Sequence, residues 1–244
     1  MRVDRTGFGE IKVIQNEGLG YGVDSILLAA FAAGETGAKG MRAGSKVLDL
    51  GSGSGIVGFV ICHKVKGTTV TGIEKRESAY ERSKQATELN NMQDRINFVH
   101  AEVKDYTSSE KYDVVVSNPP YFKQASAIPN EDSDKFIARH ETTANLFDFI
   151  NTASRMLEDG GNIYLVHRPD RLVDIFHEMR ANGIEPKEIQ LIAPHPGEGA
   201  NIVLVHGIKG AKSELKILPE IVVHNQNGDY TDVIEQIYER RKLW

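Results

Sequence analysis

Two short stretches of this chain combine residue types that can do chemistry. The first is Asp49-Leu-Gly-Ser-Gly-Ser-Gly55. Gly51 and Gly53 allow a sharp turn and a close backbone approach to a ligand that a Cβ would block, and Ser52 and Gly55 belong to the same turn. Glu74 lies nineteen residues after Gly55, where a carboxylate can accept hydrogen bonds from a ribose diol. The second stretch is Val116-Ser-Asn-Pro-Pro-Tyr-Phe122. Pro119 and Pro120 remove two backbone donors and hold the chain extended. What remains is a pair of fixed acceptors, the Asn118 side-chain oxygen and the Pro119 carbonyl, with Tyr121 beside them. Such a site suits a planar ligand bearing an NH2 group, both of whose hydrogens can be accepted while an aromatic ring stacks on its face.

The glycine turn by itself is ambiguous, because Gly53-Ser-Gly-Ile-Val-Gly58 also satisfies the G-x-G-x-x-G dinucleotide pattern. A carboxylate at Asp49 suits a ligand carrying an ammonium group and no pyrophosphate there. S-adenosylmethionine has an amino acid at one end, a ribose at the other and a sulfonium between, and is favoured over NAD. The bland alternative is an Asp49 that stabilises the turn by an Asx-type hydrogen bond. A G-x-S-x-G nucleophile elbow is absent, since position 53 is glycine. The Asn118 turn adds the matching chemistry. An exocyclic amine or amide is a weak nucleophile because its lone pair is delocalised. Fixed acceptors that favour a more pyramidal nitrogen make that lone pair available to a sulfonium methyl, which is preorganised electrostatics combined with alignment.

These residues need elements that hold them at one edge. Lys46-Val-Leu-Asp-Leu50, Thr69 to Glu74, Ile96 to Val99, Tyr112 to Ser117 and Asn162 to Val166 read as strands. Between them Ile56 to Val65, Ser78 to Asn90 and Phe147 to Leu157 read as helices, the last with Phe147, Ile150 and Met156-Leu157 on an inner face and with Gly160-Gly161 ending it. Leu172 to Ala181 is a further helix, closed by Asn182-Gly183. Buried strands alternating with helices mean a parallel sheet with right-handed crossovers. Glu188 to Ile192 and Asn201 to Gly207 are expected to close the sheet edge as an antiparallel hairpin. Both chemical stretches then sit at carboxyl ends of strands, where open α/β sheets bind ligands. The expected class is α/β: an open, doubly wound, seven-stranded, mostly parallel sheet with small N- and C-terminal additions. Residues 1–44, with a β-like stretch at Ile11 to Gln15 and a helix at Asp24 to Ala33 capped by Asp24, form the first addition. The core spans 45–208. Residues 209–244, with an apolar Ile221-Val-Val223, a turn at Asn225 to Gly228 and a final helix, form the second. Phe122 to Thr143 is a long polar stretch of the kind used for lids.

Length and composition agree with that picture. The 244 residues, 40% hydrophobic and 26% charged, are globular in balance and exclude wholesale disorder. Cys62 is the only cysteine, which excludes an internal disulfide and a multi-cysteine zinc site. No apolar run approaches the roughly 18 residues of a membrane span, and the opening residues lack a secretory h-region; a cytoplasmic location is expected. The net charge of −5 lowers the prior for non-specific polyanion binding without removing a specific RNA site. The histidines show no metal-ligand spacing, so no metal is expected, and neither is a membrane or an obligatory protein partner.

On the glycine turn and Asn118-Pro-Pro-Tyr121 the chain resembles class I S-adenosylmethionine-dependent methyltransferases (a Rossmann-like fold) of the amino group-modifying branch. Within it, Tyr21-Gly-Val-Asp-Ser-Ile-Leu-Leu28, Ile137-Ala-Arg-His-Glu-Thr-Thr143 and Val223 to Tyr238 resemble the bacterial tRNA(Val) adenine-N6 methyltransferase family. The resemblance implies methylation of the adenosine following the anticodon, with S-adenosylmethionine as cofactor and tRNA as partner. It implies catalytic roles for Asn118, Pro119, Pro120 and Tyr121. Asp49, Gly51, Ser52, Gly53 and Gly55 would contact the cofactor, as would Glu74, Lys75 and Asn118. Glu102-Val103 stands where many relatives carry an Asp against the cofactor's adenine. Asp24, Tyr121, Phe122, Arg139 and His140 would face the substrate. A base in an anticodon loop must be turned out, at a cost of a few kcal/mol, and stacking on Tyr121 returns about 1 to 3 kcal/mol. Arg2, Arg5, Lys12, Lys209, Lys212, Lys216 and Arg240 to Lys242 are candidate phosphate contacts. Other members use the same tetrapeptide on guanine, cytosine or a protein glutamine, so those substrates, and a non-catalytic cofactor-binding module, stay open as alternatives.

Overall fold

In the computed structural model, which describes residues 2–6, 8, 10–15, 21–120 and 144–239, β-branched runs and helical patterns alternate around one large sheet. A separate antiparallel pair, β1 (Arg2–Arg5) and β2 (Lys12–Gln15), precedes it. Helix α1 (Val23–Ala33) follows, then β3 (Lys46–Leu50), α2 (Ile56–Lys64), β4 (Thr69–Glu74), α3 (Glu77–Leu89), β5 (Ile96–His100) and β6 (Tyr112–Ser117). After the undescribed stretch come α4 (Leu146–Met156), β7 (Leu157–His167), α5 (Leu172–Ala181), β8 (Ile184–Ala193) and β9 (Ile202–Lys209). The two-residue strands β10 (Lys216–Ile217) and β11 (Ile221–Val222) and helix α6 (Asp232–Ile237) end the described chain.

The order across the sheet is β8-β9-β7-β6-β3-β4-β5. Strands β3 to β7 pair in parallel, and β9 is antiparallel to both β7 and β8. The sheet is the expected mostly parallel one with its seven long strands. Two corrections apply at its far side. Strands β10 and β11 bring the total to nine and pair in parallel with β8. The β8–β9 pair is therefore not the bare edge: the tail covers β8 at Glu188, Ile189, Ile192 and Ala193.

Period-two alternation sends side chains to two cores. Val47, Val114, Val116, Tyr164 and Leu204 pack with α1, α2 and α6 on one face, while Leu48, Leu50, Val115, Leu165 and Val203 pack with α4 and α5 on the other. Helix α1 is apolar nearly all round and buried from Ser25 to Ala32, as a helix without a polar face must be.

Three local expectations are corrected. Helix α1 begins one residue early, with Gly22 as its N-cap, so Asp24 sits in the first turn rather than capping it. Its carboxylate instead accepts the Ser25 N–H at 2.9 Å. Helix α4 stops at Met156, and β7 runs through Gly160 and Gly161 to His167. A register irregularity against β6 between Tyr112 and Val114 accommodates those glycines. Phe147 is exposed, and the inner face of α4 is Phe149, Ile150, Ala153 and Met156. An Asn145–Asp148 capping box fixes the start of α4 and hence its rotation.

From β3 the chain winds outward to β4 and β5, then returns to β6 on the opposite side of β3. This is the topological switch point, and both chemical stretches lie there.

Candidate active site

A cavity of about 760 Å³ opens at the carboxyl ends of β3, β4 and β6. Its floor is the glycine turn. The Gly51 and Ser52 N–H groups both donate to the Ile73 carbonyl at 2.9 Å, tying the turn to β4. Gly51, Gly53 and Gly55 have φ of 75°, 57° and 79°, the left-handed region in which a Cβ is disfavoured. At Gly55 the environment forbids one as well: it would stand 2.5 Å from the Phe98 ring.

Glu74 ends β4, is 4% exposed, and uses both oxygens. One accepts the Gly53 N–H at 2.9 Å, and the other accepts the Arg76 backbone N–H at 2.8 Å and its Nε at 3.0 Å. The carboxylate therefore braces the glycine turn while lining the cavity. Asp49 is 2% exposed, and among the described residues its Oδ2 has no hydrogen-bond partner. Burial, reinforced by the charge of Glu74, pushes its carboxyl up to about 7. The Ser52 hydroxyl is also buried without a partner among the described residues.

Asn118 follows the last residue of β6. Its Nδ2 donates to Asp24 Oδ2 at 3.2 Å and to Ser25 Oγ at 3.0 Å, both on the first turn of α1. The amide nitrogen is thereby fixed against α1, which turns the amide oxygen to the opposite side. Pro119, buried, and Pro120, exposed, continue the wall. Lys75 pairs with Glu102 at 3.2 Å, and Val103 is buried, all three lining the cavity. Tyr121, Phe122, Arg139 and His140 lie outside the described residues, as do Arg240 to Lys242. The structure thus brings Asp24, Asp49, Ser52, Glu74, Lys75, Glu102, Val103 and Asn118 to one cavity.

Several lining residues carry no signal in the sequence. Phe149 stands 3.1 Å from where a Cβ on Gly51 would be and closes one wall with Ala144. Ile14 and Gln15 of β2 and Arg82 of α3 line the cavity as well, as does Tyr21, which opens the stretch 21–28 quoted above. Of the proposed phosphate contacts, Arg2 is paired with Asp4, and Lys209 donates to the Leu157 carbonyl at 2.9 Å. Among the described residues no group of His, Cys, Asp and Glu could hold a metal ion, and no helix is long and apolar enough to cross a membrane.

The residues fit an amino acid-bearing nucleoside. A buried acceptor without a partner at Asp49 matches an ammonium group, since an isolated buried carboxylate is costly until paired. The apolar wall of Val103 and Phe149 matches a flat base.

Residues 26–179 match the family model described as the methyltransferase small domain. A tRNA1(Val) (adenine(37)-N6)-methyltransferase of Actinobacillus pleuropneumoniae is 26% identical over 215 residues, covering 88% of this chain and 86% of that protein. A protein of the same name from Porphyromonas gingivalis is 31% identical over 159 residues, 63% of this chain and 60% of that one. Among solved structures, a predicted O-methyltransferase from Agrobacterium tumefaciens superposes with a TM-score of 0.69 at 24% identity, covering 91% of this chain and 98% of that one. A 16S rRNA methyltransferase of Thermus thermophilus in complex with AdoMet and guanosine gives 0.53 at 19% identity, covering 81% and 45%. Both structural likenesses establish the fold.

Proposed function

We propose that this chain, which belongs to the methyltransferase small domain family, methylates the exocyclic N6 of an adenosine in tRNA, the one following the anticodon in tRNA(Val). The cofactor is S-adenosylmethionine, which supplies an electrophilic methyl group on its sulfonium. Asp49 holds the ammonium end, Glu74 and the turn it braces hold the ribose, and Val103 and Phe149 enclose the adenine, with Glu102 at its edge.

Asn118 and Pro119 present the acceptors for the target amine. With its Nδ2 committed to Asp24 and Ser25, the Asn118 amide is held so that its oxygen accepts rather than its nitrogen donates. The Pro119 carbonyl takes the second N–H, and Tyr121 supplies the stacking face. These acceptors hold the amine as it becomes pyramidal and gains positive charge, so their effect grows toward the transition state. No general base has to act before attack, because the nitrogen becomes acidic only as its new bond forms.

The observation that carries the reading is the junction of the unpartnered Asp49 carboxylate with the α1-anchored Asn118 at one switch point. The tRNA substrate and its position are supported by the names of the relatives and by the likeness of residues 21–28 and 223–238. The test is a panel of acceptors incubated with methyl-labelled cofactor: an unmodified tRNA(Val) transcript, ribosomal RNA, and a protein with an accessible glutamine. Label is expected in the transcript; label confined to either other acceptor refutes the substrate assignment.

A further inference from the structure

Two polar residues that line the cavity have no part in the reading above. Gln15, at the end of β2, is 5% exposed, and its Nε2 donor has no hydrogen-bond partner among the described residues. Arg82 of α3 lines the same cavity and forms no hydrogen bond or ion pair among the described residues. The two elements that carry them are tied together. The Lys12 N–H donates to Asn90 Oδ1 at 2.8 Å, and Asn90 Nδ2 donates back to the Lys12 carbonyl at 2.7 Å, which pins the start of β2 to the end of α3. From that clamp, three residues of strand advance about 10 Å to Gln15, and eight residues of helix return about 12 Å to Arg82. A helical side chain leans toward its own N-terminus, and both side chains line the cavity.

An orphaned buried amide donor is costly unless a ligand satisfies it, and a cation with no acidic partner beside it defines the ligand's charge. We propose that Gln15 and Arg82 form an oxyanion subsite that takes a backbone phosphate of the RNA next to the methyl-accepting nucleotide. This rests on the RNA reading given above. The cofactor's carboxylate is the competing anion, but it shares a carbon with the ammonium held at Asp49 on β3. Arg82 stands on the helix that follows Glu74, the residue assigned to the ribose. A phosphate there anchors the strand while the base enters toward Asn118, and phosphate contacts of this kind set register rather than sequence preference.

The test uses the full-length protein, with Arg82→Gln, Arg82→Lys and Gln15→Ala compared with wild type. For each, the affinity for unmodified tRNA across a salt series, the affinity for S-adenosylmethionine, and turnover at saturating tRNA are measured. Loss of one phosphate contact lowers the slope of log affinity against log salt by about 0.7. Arg82→Gln is expected to show that drop and a raised KM for tRNA, with cofactor affinity and saturated turnover unchanged. Arg82→Lys is expected to restore the slope, and Gln15→Ala to weaken RNA binding with the slope retained. An unchanged slope and KM in Arg82→Gln overturns the subsite, and so does a loss confined to cofactor affinity, which would assign Arg82 to the cofactor's carboxylate. Wild-type protein that methylates no tRNA contradicts the functional reading itself, a result distinct from either.

Discussion

Removing the charge of Asp49 has opposite effects on stability and on binding, and pH separates them. Its carboxyl, ordinarily ionising at 3.8, is pushed up to about 7 in the folded protein by burial and by Glu74. In the unfolded chain it ionises near its ordinary value, about 3.9. The folded state therefore holds this proton more tightly than the unfolded state, and stability falls as pH rises between those two values. The loss is absent below about pH 4 and complete above about pH 7. At about 1.4 kcal/mol per pH unit it amounts to about 4 kcal/mol. Asp49→Asn removes it. In the ligand-free protein the variant is expected to exceed wild type by about 1 kcal/mol at pH 4.5 and by up to about 4 kcal/mol at pH 8, read from urea unfolding at both pH values. An ammonium ligand pairs with the ionised form, so wild-type cofactor affinity is expected to rise up to about tenfold per pH unit below 7 and to level off above it. The Asn variant is expected to lose most of the affinity and all of that dependence, by calorimetric titration. A stability difference that does not change with pH, or an Asn variant that binds the cofactor as wild type does, refutes the role given to Asp49.

Three further substitutions separate chemistry, positioning and fold. Asn118→Ala is expected to lower turnover on the order of a hundredfold, as for loss of one preorganised polar group, with calorimetry showing cofactor affinity nearly intact. Collapse of that affinity would make Asn118 structural. Ser25→Ala removes one of two anchors of the Asn118 amide; turnover should fall by less than in Asn118→Ala at unchanged KM for tRNA, and an unaffected rate constant would deny the anchor any part in catalysis. Gly55→Ala places a Cβ 2.5 Å from the Phe98 ring at a φ of 79°. It is expected to destabilise by at least about 1–2 kcal/mol from the backbone alone, measured as a lowered urea midpoint.

What the sequence makes legible is whatever depends on local pattern. Val114-Val-Val116 and Leu48 to Leu50 announce buried parallel strands, and their ends at Asp49 and Asn118 meet because a doubly wound sheet reverses there. What pattern does not carry is contact between elements remote along the chain. Phe149 reads as one more apolar residue of a helix, and only the capping box at Asn145 rotates it, rather than Phe147, toward Gly51. Strands β10 and β11 are two residues each and exist because β8 offers them an edge. Asp24 suits a helix cap by type, yet its position in the first turn gives it to Asn118. Glu74 reads as a ribose ligand, while its bonds to Gly53 and Arg76 show it also bracing the turn. Gln15 and Arg82 line one cavity from β2 and α3, two elements joined by the Asn90 clamp, which no spacing in the sequence announces.

The central claim is transfer of a methyl group to the N6 of a tRNA adenosine, and nucleoside mass spectrometry tests it most directly. Unmodified tRNA is incubated with the protein and methyl-deuterated S-adenosylmethionine, then digested to nucleosides. The account predicts deuterated N6-methyladenosine, lost in Asn118→Ala. Deuterium in another nucleoside, or in none while calorimetry shows the cofactor bound, would contradict it.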